Sequence, residues 1–198
     1  VESMSSIPMS GWNPDLNPEI YGGDAKAYMG MGRTAENLAR KYEISRAAQE
    51  DFAVRSHQKA AKAQQDGKFK DEIVKLRHAP DMLEDDLIRY DASAEGLAEL
   101  KPAFEKDGTV TAGISSPITD GASGVAVASE AYAEEHGLPV LARVMAFAGS
   151  GCDPEIMGIG PVEASRKALE RAGLTMDDID VVELNEAFAA QALSVVKE

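Results

Sequence analysis

Residues 181–198, VVELNEAFAAQALSVVKE, decide the fold. DIDVVEL, residues 178–184, reads as an apolar strand, and EAFAAQALSVV, residues 186–196, reads as a helix. Between them stand two polar residues, Asn185 and Glu186. In an α/β sheet, ligands bind at the carboxyl ends of the strands. A polar pair there meets both the crevice and the positive end of the next helix. Asn185 offers two donors and an acceptor, enough to position a water or a carbonyl oxygen. Its spacing by itself favours a plain helix N-cap, and both readings stand.

Working outward, GVAVASE (124–130) and PVLARVMAFAGSG (139–151) read as strands, and SEAYAEEHG (129–137) as a short helix. Pro161 opens a helix in which Ala164, Ala168, Leu169 and Ala172 form an apolar stripe, closed by Gly173. Strand and helix alternating at this spacing signal a layered α/β unit. The earlier part is different. Residues 5–30, dense in Gly, Pro, Asn and Ser, read as an irregular loop. Thr34 is placed to cap a helix over 34–43, and Ser45 one that Gly67 stops. DEIVKLRHAP (71–80) reads as a short strand, residues 81–93 as an acidic loop, and EGLAELKPAF (95–104) as a short helix.

The formal charge of −14 argues against a nucleic-acid or anionic-membrane surface, because such binding rests on Lys and Arg neutralising phosphates. No stretch reaches the roughly 18–20 apolar residues a membrane helix needs. A single cysteine, Cys152, rules out an internal disulfide and fits a reducing, cytoplasmic setting. It sits in the glycine-rich GCDPEIMGIGP (151–161) without a local histidine, and reads as a small buried hydrophobe rather than a nucleophile. His57, His78 and His136 lie in helical or loop contexts without a companion motif, and no His/Cys pair has metal-ligand spacing. GTVTAGISSPITDGAS (108–123), with small residues and adjacent serines, either lets a ligand approach the backbone or is a plain turn before a strand.

Several segments, in order and over nearly the whole chain, resemble the thiolase family. They are VESMSSIPMS, MGMGRTAENLARKYEISRAAQEDFAVRSHQKAAKA, LKPAFEKDGTVTAG, SSPITDGAS, GCDPEIMGIGPVEASRKALERAGL and DIDVVELNEAFAAQAL. The degradative 3-ketoacyl-CoA thiolases (acetyl-CoA acyltransferases) of bacterial fatty-acid β-oxidation look most alike. The resemblance implies an α/β, thiolase-like fold of two related halves, each a mixed five-stranded sheet, with a loop domain inserted in the first. This chain would be a middle fragment, mostly the helical loop domain plus incomplete α/β halves. Residues 1–119 would be the CoA-binding loop domain, 120–138 the last strand and helix of the N-terminal half, and 139–198 the start of the C-terminal half.

The implied reaction is thiolysis of a 3-ketoacyl-CoA by CoA through an acyl-cysteine, giving acetyl-CoA and a shortened acyl-CoA, with Claisen condensation as the reverse. The family's nucleophilic cysteine, Gly-His-Pro histidine and second cysteine are not among these residues, so this chain alone is expected to be inactive. Asn185 would hold the oxyanion-hole water, with Glu186 orienting its neighbours. Ser116 would meet the pantetheine amide; Met31, Phe104 and Arg89 would contact CoA, the last by stacking on adenine or meeting phosphate. Arg89 as a solvated surface side chain is the alternative, and Phe188 is either core or a wall of the pantetheine channel. Ile114 and Pro117 depart from the commonest family pattern, and Cys152 matches a non-catalytic position. No covalently bound cofactor is implied, only coenzyme A as substrate. Implied partners are a second copy or three more (homodimer or homotetramer) and a hydratase/dehydrogenase subunit. A non-catalytic module binding CoA or acyl-CoA is the competing reading.

Overall fold

The computed structural model describes residues 1–8 and 11–198; Met9 and Ser10, within the expected N-terminal loop, lie outside the described residues. The described helices are α1 (Pro18–Gly23), α2 (Met31–Lys41), α3 (Arg46–Gln65), α4 (Ala94–Ala98), α5 (Glu130–Glu135), α6 (Gly160–Ala172) and α7 (Ala189–Lys197), with β1 (Glu2–Ser3) and β2 (Asp120–Gly121). The chain divides into two compact units. The first comprises Val1–Gly23, Ile118–Gly151 and Gly160–Val182; the second comprises Asp24–Pro117, Cys152–Ile159 and Glu183–Glu198.

In the first unit β1 pairs antiparallel with β2, Glu2 opposite Gly121. Ser129 caps α5 by accepting from the Tyr132 N–H. The stripe of Ala164, Ala168, Leu169 and Ala172 on α6 is half-buried, and Gly173, at φ +69°, closes the helix. The three expected strands of this region, over 124–130, 139–151 and 178–184, do not form. An apolar run marks a segment suited to a sheet, but a strand also needs a neighbour to satisfy its N–H and C=O groups. Among the described residues no ladder partner lies beside these segments. Val125, Leu141 and Phe147 are accordingly 89%, 97% and 81% exposed.

The second unit is helical and carries the larger core. Ser45 caps α3 by accepting from the Ala48 N–H. At the other end, Gly67 lies at φ +72°. Its N–H bonds the Gln64 carbonyl at 3.0 Å and that of Lys68 the Ala63 carbonyl at 2.9 Å, a paired closure only a residue without Cβ adopts freely. Helix α2 begins at Met31 with Gly30 as N-cap, not at Thr34. Thr34 is inside the first turn, where its buried hydroxyl donates back to the Met31 carbonyl at 2.7 Å. The expected strand over 71–80 is absent, and Val74 is exposed. The helix expected over 95–104 is confined to α4, because Pro102 disfavours helical geometry before it. Ala35, Ala39, Val110, Ile114, Ala189 and Ala190 form the core cluster, with Phe52, Ala53, Leu97 and Phe188 packed against it.

Candidate functional site

The site is built on residues 108–117. A buried carboxylate holds the first part of this stretch in place. Glu36, on α2, accepts from the backbone N–H of Val110 at 2.9 Å, and from the N–H and hydroxyl of Thr109 at 3.0 and 3.2 Å. A Cβ on Gly108 would fall 2.0 Å from a Glu36 oxygen, so glycine is required for that approach. Val110 and Ile114 are buried, which turns Ser115 and Ser116 towards the 187–188 segment. Ser115 forms an antiparallel bridge with Phe188, and the Ser116 N–H donates to the Ala187 carbonyl at 2.9 Å.

This pairing brings the two candidate motifs into one groove of about 580 Å³. One wall is Gly113–Pro117, a second is Glu183–Glu186, and the third is a face of α3 made by Phe52, Ala53, Ser56 and His57. Asn185 is not the helix cap, since α7 starts at Ala189 with Phe188 as its N-cap. Freed from capping, the exposed amide of Asn185 lines the groove. Next to it, the Ser56 hydroxyl donates to the Glu186 carboxylate. The His57 ring accepts at Nδ1 from the Arg89 N–H at 3.2 Å, which leaves the other ring nitrogen to carry the proton of the neutral form.

Of the residues singled out in the sequence, Ser116, Asn185 and Glu186 share this groove; Met31, Arg89, Phe104 and Phe188 are not among its lining. Met31 is exposed at the start of α2. Phe188, partly buried, packs against the core cluster and meets Phe104 edge-to-face at 5.8 Å. Phe104 in turn covers Gly32, where a Cβ would lie 2.2 Å from its ring. Arg89 is exposed, and its backbone rather than its guanidinium reaches the groove wall through His57. Cys152 is exposed rather than a buried hydrophobe, with Sγ 3.6 Å from the Met157 carbonyl.

The α3 wall is what sequence reading left out. Its signal was the i, i+1, i+4, i+5 spacing of Phe52, Ala53, Ser56 and His57, which puts all four on one helical face. An amide, carboxylates, hydroxyls and an imidazole surround a cleft floored by apolar groups, a setting suited to a ligand that both donates and accepts hydrogen bonds. Among the described residues no three His, Cys, Asp or Glu side chains converge to hold a metal ion, and no helix is long and apolar enough to cross a membrane.

Comparison with known proteins gives a consistent picture. Residues 18–131 match the family described as thiolase, N-terminal domain, and residues 138–198 that described as thiolase, C-terminal domain. A 3-ketoacyl-CoA thiolase of Pseudoalteromonas translucida is 52% identical over 205 residues, covering 100% of this chain and 52% of the relative. An acetyl-CoA acetyltransferase of Chromobacterium violaceum is 56% identical over 174 residues, covering 85% of this chain and 44% of the relative. Among solved structures, the dimeric peroxisomal thiolase of Saccharomyces cerevisiae superposes with TM-score 0.90 at 42% identity, over 99% of this chain and 52% of that one. Human mitochondrial 3-ketoacyl-CoA thiolase in complex with CoA gives 0.79 at 40% identity, over 94% and 48%. The chain thus spans about half the length of the relatives it matches.

Proposed function

The chain belongs to the thiolase family and has its α/β fold, and from that premise we propose that it is the middle part of an acyltransferase that thiolyses 3-ketoacyl-CoA. In this reading a cysteine thiolate outside these residues attacks the 3-keto carbon. The C2–C3 bond breaks, its electron pair leaves with acetyl-CoA, and that carbon takes up a proton. A CoA thiolate then accepts the shortened acyl group from the enzyme. Run backwards, the same steps form a carbon–carbon bond between acyl-CoAs.

The role of this chain is to position and to stabilise. Asn185 holds the water that donates to the developing oxyanion, and donors fixed in advance lower the barrier because they need no reorganisation as charge appears. Glu186 orients that neighbourhood. Ser116 meets the pantetheine amide, while Met31, Phe104 and Arg89 contact other parts of CoA and Phe188 backs the channel from the core. Coenzyme A is a substrate, with no covalently bound cofactor. Residues 1–119, 120–138 and 139–198 correspond to the loop domain, the end of the first half and the start of the second. The whole protein would be a cytoplasmic homodimer or homotetramer, able to join a hydratase/dehydrogenase subunit and serving fatty-acid β-oxidation.

What supports this reading most is the Ser115–Ser116 pairing with Ala187–Phe188, which brings Ser116 and Asn185 into one groove. The test is Asn185→Ala in the intact enzyme, assayed on acetoacetyl-CoA and a longer 3-ketoacyl-CoA. A loss of roughly 10²–10³ in kcat with little change in KM is expected for removal of an oxyanion donor. An unchanged kcat rules out the role given to Asn185.

A further inference from the structure

We propose that Ser56 is a positioning residue for the groove, fixing Glu186 and through it the direction of Asn185. The inference rests on the thiolase reading above and deepens it by adding a residue of α3.

A serine in the middle of a helix ordinarily donates back to the carbonyl one turn earlier. Ser56 instead donates outward to the Glu186 carboxylate, a residue of a different segment. Its helix is well placed to act as a fixed post. α3 is capped by Ser45 at one end and closed by Gly67 at the other. Near its start, Arg46 pairs with Glu50 at 2.7 Å and also donates to the carbonyls of Leu97, Ala98 and Leu100. Phe52 and Ala53, one turn before Ser56, pack on the core cluster.

The segment receiving this bond is held at a second place immediately afterwards. The Ala187 carbonyl accepts from Ser116, Phe188 bridges Ser115, and Ala189 and Ala190 are buried. Glu186 is thereby fixed through its side chain and its successors through their backbone. Asn185 is the residue immediately before this two-point clamp, and it lines the groove beside it. Without the Ser56 bond the Glu186 carboxylate is free to turn towards solvent, and the 185–186 peptide loses one of its two restraints.

The test uses the intact enzyme with Ser56→Ala, Ser56→Thr and Glu186→Ala, and the Ser56→Ala/Glu186→Ala pair. Misplacing a group that acts on the reacting carbonyl costs rate rather than affinity, so Ser56→Ala should lower kcat about tenfold and leave KM for CoA within about twofold. Ser56→Thr, which keeps the hydroxyl, should recover most of the loss. The double variant should be no slower than Glu186→Ala alone, because both remove the same contact. Equal kcat for wild type and Ser56→Ala overturns the inference, as does a loss that threonine does not restore or one that multiplies with that of Glu186→Ala. A wild-type enzyme that does not thiolyse 3-ketoacyl-CoA overturns the proposed function and this inference with it.

Discussion

The backbone N–H of Ser116 donates to the carbonyl oxygen of Ala187 at 2.9 Å, tying the serine-rich turn to the segment that carries Asn185. Two variants separate what this bond does from what the Ser116 side chain does. Ser116→Pro removes the N–H and leaves the half-buried Ala187 without its partner, at a cost of about 1–3 kcal/mol in stability. Ser116→Ala keeps the N–H, so stability should stay within about 0.5 kcal/mol while CoA affinity falls. Urea unfolding and calorimetric titration with CoA on the intact enzyme read the two effects.

Glu36 sets the other end of the same stretch. It is 1% exposed and serves two backbone N–H groups and one hydroxyl. Glu36→Ala strands these buried donors, and the expected loss is about 3 kcal/mol or more. Glu36→Gln keeps one acceptor oxygen and should lose less than half of that. The check is the urea midpoint at unchanged m-value; equal losses for the two variants would mean that volume, not acceptance, is what Glu36 supplies.

A pH-dependent contribution comes from the ion pair between Arg40 and Glu105, 2.7 Å apart. The hydrogen bond from Arg40, opposed in part by desolvation, holds the Glu105 carboxyl below its ordinary value. A carboxylate whose folded-state value is depressed adds stability above its unfolded value, about 4.3, and loses it as pH falls through the folded value. The advantage of wild type over Glu105→Gln should therefore be full at neutral pH and fade below about pH 4. Because both side chains are substantially exposed, it should stay under about 1 kcal/mol and shrink with salt. Melting curves from pH 3 to 7 would show it.

The first unit exposes large apolar side chains in separate stretches, among them Val127 at 83% and Val140 at 69%, together with Leu141 and Phe147. Large apolar side chains left this exposed favour association. The 198-residue chain by itself should elute well above its 21.1 kDa mass in size-exclusion chromatography with light scattering and bind a hydrophobic dye. A sharp monomer peak without dye binding contradicts this.

Helix ends were readable in the sequence wherever their determinants are local. Ser45, Ser129 and the glycines Gly67 and Gly173 act within one turn of where they stand. Thr34 is not the cap, because Gly30, which has no side chain to announce a cap, starts the helix instead. The motif residues Asn185, Glu186 and Ser116 are legible from their chemistry and the family resemblance, and they share a groove. Phe188 and Phe104 lie outside that groove's lining and pack edge-to-face on each other, Phe188 also against the core cluster.

By itself, then, the sequence determined the family and the helix ends marked by Ser45, Ser129, Gly67 and Gly173, because capping and motif spacing are properties of neighbouring residues. Tertiary structure alone decided that Asn185 is not a cap, that Ser56 reaches Glu186, and that the apolar runs at 124–130, 139–151 and 178–184 form no ladder. The physical reason is common to all three. A side chain's partner, and a strand's neighbour, come from residues far along the chain, and only folding brings them within the few ångströms over which a hydrogen bond acts.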